Sequence, residues 1–312
     1  MGQHARSGSE QPRIKGALGP PCVLGESPIW DHRANCLAWV DIDGRQVHRW
    51  DWPDGKVDSR AVDGRPGSIA LTEDPDVLLL ASEDWIGTLH WPSGTTQVRL
   101  RLPVAEPSVR LNDGRVGPEG DFWVGSMHVP ATDRRFIGSV YRIRPDWSWE
   151  LQVIDVGVAN SMTSTGAGML WGDTLLRACW FMEVDVGPVA SGSNPPVIDF
   201  AELGLPGGPD GACTDADGHI WLACVHGSAL ARLTTEGRLI DRLDLPVRRP
   251  TCPAFGGPEL DNLFVTSIGG GGQYPTFEDE PDGGRILVID AGVSGVREHV
   301  FGAGQDRNGQ AR

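Results

Sequence analysis

Residues 110–127 read Arg110-Leu111-Asn112-Asp113-Gly114-Arg115-Val116-Gly117-Pro118-Glu119-Gly120-Asp121-Phe122-Trp123-Val124-Gly125-Ser126-Met127. Polar side chains open the stretch, Gly117 to Gly120 punctuate it, and an aromatic and β-branched run closes it. That order predicts a strand, a tight turn and a second strand. The pattern recurs. Asn160 leads through Gly166 and Gly168 to Trp171, and Asp210 leads through Asp217-Gly218 to Trp221, each at the same separation as Asn112 from Trp123. Looser copies run from Glu26 to Trp39-Val40, from Gly67-Ser68 to the leucines at 78–80, and from Pro253 to Phe264. Six copies at roughly 40–50 residues fall in the period range of propeller blades.

Further strands follow each copy at 46–50, 87–91, 139–143, 179–184, 229–233 and 285–289, several alternating polar with apolar as half-buried strands do. A fourth, outer strand is expected in each unit, for example at 97–100 and 239–243. No amphipathic helix of more than two turns is evident, so the crossovers that a parallel α/β sheet requires are missing. The expected fold is all-β: a six-bladed β-propeller with four-stranded blades around a central metal-containing channel. The propeller is expected over residues 17–302 as one domain, with flexible tails at 1–16 and 303–312. Ring closure is expected to pair the N- and C-terminal segments in one blade, with 296–301 as the C-terminal candidate.

The formal charge of −15 argues against binding nucleic-acid phosphates or an anionic membrane through bulk charge, and is compatible with holding a cation. The 42 glycines and 24 prolines favour many short strands and turns. Six cysteines without a C-x-x-C pair give no zinc-cluster or redox motif, and those inside apolar runs read as buried free thiols. No signal-like or membrane-spanning apolar run stands out, so a cytoplasmic protein, monomeric or a small homo-oligomer, is the expectation. The Gly269–Gly272 run lacks a following Lys-Ser/Thr, and neither a nucleophile elbow nor a His-Glu-x-x-His is present.

In a propeller the innermost strands line the axis, so equivalent repeat positions face one another. Glu26, Asn112, Asn160 and Asp210 hold one such position. Two carboxylates and two amide oxygens around one point suit a hard divalent cation. Each residue alone also has a plain structural role available, since Asn-Asp-Gly and Asp-Gly are ordinary turn signals. Asp41, Asp173, Asp215 and Asp217 sit in turn or strand-end contexts and are expected to satisfy backbone N–H groups.

On these stretches, together with Gly25-Glu26-Ser27-Pro28-Ile29-Trp30, Gly138-Ser139-Val140-Tyr141-Arg142, Pro209-Asp210-Gly211 and Pro250-Thr251-Cys252-Pro253-Ala254-Phe255-Gly256-Gly257, the chain resembles the SMP-30/gluconolactonase/luciferin-regenerating-enzyme family across about residues 20–302. The resemblance implies a metal-dependent lactonase acting on small sugar lactones. It implies Glu26, Asn160 and Asp210 as ligands of one divalent cation, with Ca²⁺ first and Mg²⁺, Mn²⁺, Zn²⁺ or Fe²⁺ as alternatives. It further implies Asn112 and Arg110 on the substrate side. Asp210, with Glu26 second, is the expected acceptor of a proton from attacking water. His128 is either a substrate contact or a rim histidine. The turn at 163–168 and the segment 174–200 depart from the family pattern. Hydrolysis of another ester or phosphorus ester, and a non-enzymatic calcium-binding propeller, are the alternatives.

Overall fold

A computed structural model describes residues 12–53, 55–183 and 186–302. Six antiparallel sheets follow one another along the chain. Blade one comprises Gly25–Asp31, Cys36–Asp41, Gln46–Asp51 and Val57–Ala61, and blade two Pro66–Thr72, Val77–Ser82, Trp85–His90 and Thr95–Arg101. Blade three comprises Val109–Val116, Phe122–His128, Gly138–Ile143 and Trp149–Val156. Blade four, Ala159–Thr165, Gly168–Asp173, Ala178–Phe181 and Ile198–Asp199, has the shortest outer strand of the six. Blade five comprises Gly208–Thr214, Ile220–Val225, Ala229–Leu233 and Leu239–Asp244; blade six begins with Pro250–Gly256, Asn262–Ser267 and Ile286–Asp290. The protein is a six-bladed β-propeller. Among the described residues the helical content is one 3-10 turn, Ala131–Asp133.

The repeated tryptophan explains why the blades stack. Trp123, Trp171 and Trp221 sit on second strands at 5%, 3% and 2% exposure. Trp123 packs with Ala159 and Met162 of the next blade's inner strand, and Trp221 with Phe255 and Leu263 of blade six. An indole at this position fills the wedge between neighbouring sheets. Burying one removes on the order of 200 Å² from water, several kcal/mol before entropy is charged against it. Arg142 and Arg232 cover the outer faces of Trp123 and Trp221 with their guanidinium carbons 5.2 and 5.7 Å from the ring centroids.

Closure pairs the N- and C-terminal segments in one blade, as expected, but not through the expected C-terminal segment. The outer strand of blade six is Arg13–Leu18, which pairs antiparallel with Ile286–Asp290 in the register Arg13↔Asp290 to Leu18↔Ile286. Residues 13–16 therefore belong to the propeller, not to a tail. Their polar composition misleads because an outermost strand is wetted on both faces, and Arg13 to Gly16 are exposed. The remaining tail residues, 1–11 and 303–312, lie outside the described residues, as does Val184 of the strand expected at 179–184. The C-terminal candidate 296–301 does not meet the N-terminal strand. Gly295 bridges to Asp215 in blade five, and Val300–Phe301 lies parallel to Leu71 and Thr72 in blade two. The chain thus crosses the underside of the channel.

Glu298 on this crossing accepts a 2.9 Å hydrogen bond from Arg115, which also donates to the carbonyls of Pro28 and Ala212. A buried guanidinium is held by blades one, three and five and capped by the crossing segment. Only a cavity of about 30 Å³ separates the crossing from the strands above it.

Candidate metal centre and active site

All six inner strands carry a register irregularity at the same height: Glu26/Ile29, Pro66/Ser68, Leu111/Gly114, Asn160/Thr163, Pro209/Ala212 and Pro250/Pro253. An extra residue in an antiparallel pair breaks the alternation and re-aims side chains. Ser27 (φ 48°) and Ser161 (φ 61°), immediately after Glu26 and Asn160, take the left-handed conformation. Asn112-Asp113-Gly114 is therefore not the tight turn that its composition suggests. That turn comes later, where Gly120 donates to the Gly117 carbonyl.

The bulges gather the polar residues at the axis. Asn112 donates its side-chain amide to Asn160 Oδ1 and to the Ala159 carbonyl, both at 2.9 Å. Asn160 in turn donates to Thr174 Oγ1 at 2.8 Å, and Thr174 donates to the Pro209 carbonyl at 2.7 Å, one residue before Asp210. The Thr174 bond fixes the Asn160 amide with its oxygen turned inward. Ser161 Oγ donates to the Asp210 carbonyl at 2.5 Å. Glu26 and Asp210 lie side by side, in hydrogen-bonding contact through their carboxyl groups. Glu26, Asn112, Asn160 and Asp210 are 6%, 7%, 3% and 6% exposed.

The electrostatics are those of an under-neutralised anionic pocket. Burial first, then the Asp113 charge, pushes Glu26 up to about 8. Asp210 is raised well above the carboxylate range by burial, then by Glu26 and Asp113. Asp113 is also raised by burial, with Arg115 opposing. Among the described residues no Lys or Arg forms an ion pair with Glu26 or Asp210. Adjacent buried carboxylates with amide oxygens beside them are the donor set of a hard divalent cation, and the residues fit one.

Arg110 lies against this pocket. It donates through Nη1 to Asn112 Oδ1 at 2.7 Å and to the Leu111 carbonyl at 2.9 Å. It has no ion-pair partner among the described residues, so the surface salt bridge that an exposed arginine would form is not its role. Burial pulls its pKa down. His128 stands apart. Its ring bonds the Pro130 carbonyl at 3.3 Å and lies 3.5 Å from Glu106, and no described hydrogen bond joins it to the axial residues. It sits among rim charges with Arg135 and Asp133.

Three contributors were not singled out from the sequence. Asp113 accepts the Met162 amide at 2.8 Å and ties blade three to blade four beside the pocket. Thr174 orients Asn160. Tyr274, on the long connection 268–284 of blade six, lies close enough to Arg110 and Asp210 for their charges to bear on it. Arg249 anchors that connection through the carbonyls of Gly269 and Pro275 and by stacking on Phe277 at 4.8 Å. A lone glycine-rich loop carried no signal of this. Of the carboxylates expected to satisfy backbone N–H groups, Asp41, Asp173 and Asp215 each accept two or more, whereas Asp217 accepts from the Arg232 side chain instead, its exposed carboxylate being in reach of that guanidinium. All six cysteines are buried and unpaired.

Fold and pocket together define a propeller with an oxygen-lined anionic centre on its axis. A profile of the SMP-30/Gluconolactonase/LRE-like region matches residues 24–269, and the chain belongs to that family. It is 30% identical over 296 residues to regucalcin of Xenopus laevis, covering 93% of this chain and 98% of that one. It is 32% identical over 285 residues to L-arabinolactonase of Azospirillum brasilense, covering 89% and 92%. Among solved structures, regucalcin of Agrobacterium tumefaciens, described as a calcium-binding protein, superposes with TM-score 0.81 at 28% identity over 92% of this chain and 97% of that one.

Proposed function

We propose that the protein is a metal-dependent lactonase that opens small sugar lactones. The observation that carries this reading is the contact of two buried carboxylates, Glu26 and Asp210, beside two amide oxygens and, among the described residues, with no cationic side chain in an ion pair with either. The family and a relative named as an L-arabinolactonase support lactones as the substrate class. Glu26, Asn160 and Asp210 hold the cation, with Ca²⁺ favoured by the oxygen-only donors and by a solved relative described as calcium-binding. Mg²⁺, Mn²⁺, Zn²⁺ or Fe²⁺ are the alternatives.

The bound ion would polarise the lactone carbonyl and stabilise the charge that develops on its oxygen. Asp210 takes a proton from the attacking water, with Glu26 as the second candidate. As water's oxygen bonds to the carbonyl carbon, the ring C–O bond breaks, and the departing alkoxide takes up a proton to give the hydroxy acid. Arg110, whose Nη1 is committed to Asn112 and Leu111, presents its remaining N–H groups to substrate hydroxyls. Asn112 is fixed between Arg110 and Asn160 and orients the substrate beside the carboxylates. His128, out of contact with these groups, acts at most at the rim.

The test is acid release from gluconolactone and a pentonolactone with Ca²⁺, Mg²⁺, Mn²⁺ or Zn²⁺ supplied separately. Metal-dependent turnover that Asp210→Asn abolishes is the expected result. Calcium binding lost in the same variant, with no turnover of any lactone, would instead favour a calcium-binding propeller, the reading that the regucalcin relatives suggest.

A further inference from the structure

We propose that Cys22, Asp41 and His48 form a second metal site within blade one, of the zinc class and independent of the axial site. Cys22 lies in the segment that leads into the blade, Asp41 ends the second strand, and His48 is on the third. They are 2%, 7% and 3% exposed. One ligand atom from each lies within 4.8 Å of the other two.

The imidazole is the decisive group. His48 Nδ1 pairs with Ser59 Oγ at 2.8 Å, while Nε2 is buried and has no hydrogen-bond partner among the described residues. An unmade bond on a buried nitrogen is costly, and native interiors seldom leave one without a reason. Trp39 lies against the ring at a 31° tilt, with centroids 5.1 Å apart, and a ring nitrogen stands within 4.8 Å of the ligand atoms of Cys22 and Asp41. The second-site partner on Nδ1 is the arrangement by which metal-binding histidines are oriented.

Asp41 is equally constrained. Oδ1 accepts the amides of Leu24 and Gly44, and Oδ2 accepts that of Val23 at 2.9 Å, which leaves Oδ2 a lone pair. Gly44 is required for this, since a Cβ there would stand 2.3 Å from Asp41 Oδ2. Cys22 Sγ has only a weak 3.9 Å contact, to the Pro20 carbonyl. The nearby Trp39 indole N–H is likewise buried without a hydrogen-bond partner among the described residues.

Sulfur, nitrogen and oxygen donors together select zinc-class ions over the Ca²⁺ or Mg²⁺ that oxygen-only sites take. Binding displaces the Cys22 proton to solvent and bonds the thiolate, the neutral Nε2 and a carboxylate oxygen to the ion. The site pins the lead-in segment of residues 20–24 to two strands of blade one, next to Glu26.

The test uses the full chain, stripped with chelator and reloaded with Co²⁺ alone, then with Zn²⁺ alone. A thiolate-to-cobalt charge-transfer band is expected in the wild type and in Asp210→Asn, and lost in Cys22→Ser and His48→Gln. Bound zinc is expected to fall by one equivalent in each of the latter two. Oxygen ligands at the axial site give no such band, so failure there and failure here are told apart. No band in folded, cobalt-saturated wild type overturns the proposal even if a variant fails to fold. A band or zinc equivalent that survives Cys22→Ser overturns it as well.

Discussion

Asn160 and Thr174, fourteen positions apart and on opposite sides of a hairpin, are joined by a 2.8 Å hydrogen bond that decides which way the Asn160 amide faces. The threonine hydroxyl links the two blades, because it donates its own hydrogen bond to the Pro209 carbonyl beside Asp210. Thr174→Val removes both bonds and leaves the amide free to rotate. Metal affinity is expected to fall about 10–100-fold, as for other partners of metal ligands. Thr174→Ser should retain most of it. Calorimetric Ca²⁺ titration of the two variants distinguishes loss of orientation from loss of bulk.

Asp210→Asn separates chemistry from folding. Lactone turnover is expected to drop at least about 100-fold, the contribution of a positioned base. In chelator, however, the same change relieves repulsion among Glu26, Asp113 and Asp210. The metal-free variant should therefore melt at a higher temperature than metal-free wild type. A lower melting temperature would show that the carboxylates are not mutually destabilising.

The pH dependence has a definite sign. Glu26 in the metal-free fold binds its proton more tightly than in the unfolded chain, with its pKa raised from 4.5 to about 8. The folded state then holds more protons than the unfolded one between those values, so stability is present at the acid end and is lost as pH rises through the window. Melting curves in chelator across this range should show the slope in wild type and a shallower one in Glu26→Gln. Metal binding favours the carboxylate, so Ca²⁺ added near pH 6 should release protons into weakly buffered solution.

Much of this was legible in the chain because a repeat constrains many residues at once. The equal spacing of Asn112, Asn160 and Asp210 from their tryptophans puts the polar residue on the inner strand and the indole between blades. Even the altered hairpin after Asn160 does not disturb this, since the inner-strand bulge is kept. What escaped reading has physical causes. Arg13 to Gly16 carry no apolar alternation because that part of the outermost strand is exposed, and only Ala17 and Leu18 pack against the core. Asp113 looks like a turn residue because bulges and turns draw on the same side chains. Thr174 and Tyr274 reach the pocket through space, from segments whose local patterns name no partner.

Arg115 and Glu298 offer a stability measurement remote from the pocket. The pair is 2.9 Å apart, with side chains 7% and 17% exposed. Glu298→Ala leaves the guanidinium buried with two carbonyls and the Cys252 sulfur as its hydrogen-bond partners, and a cost of about 3–5 kcal/mol is expected in denaturant unfolding. Arg115→Met with Glu298→Leu together should recover much of that loss.

Because the last described residues run beneath the axis from blade five to blade two, the propeller is a cup and not a pipe. On the proposed reading, a lactone reaches Glu26 and Asp210 from the face opposite this crossing, and the hydroxy acid formed there leaves by the same route. Turnover and product clearance then share one doorway, so accumulated product is bound to compete with incoming lactone.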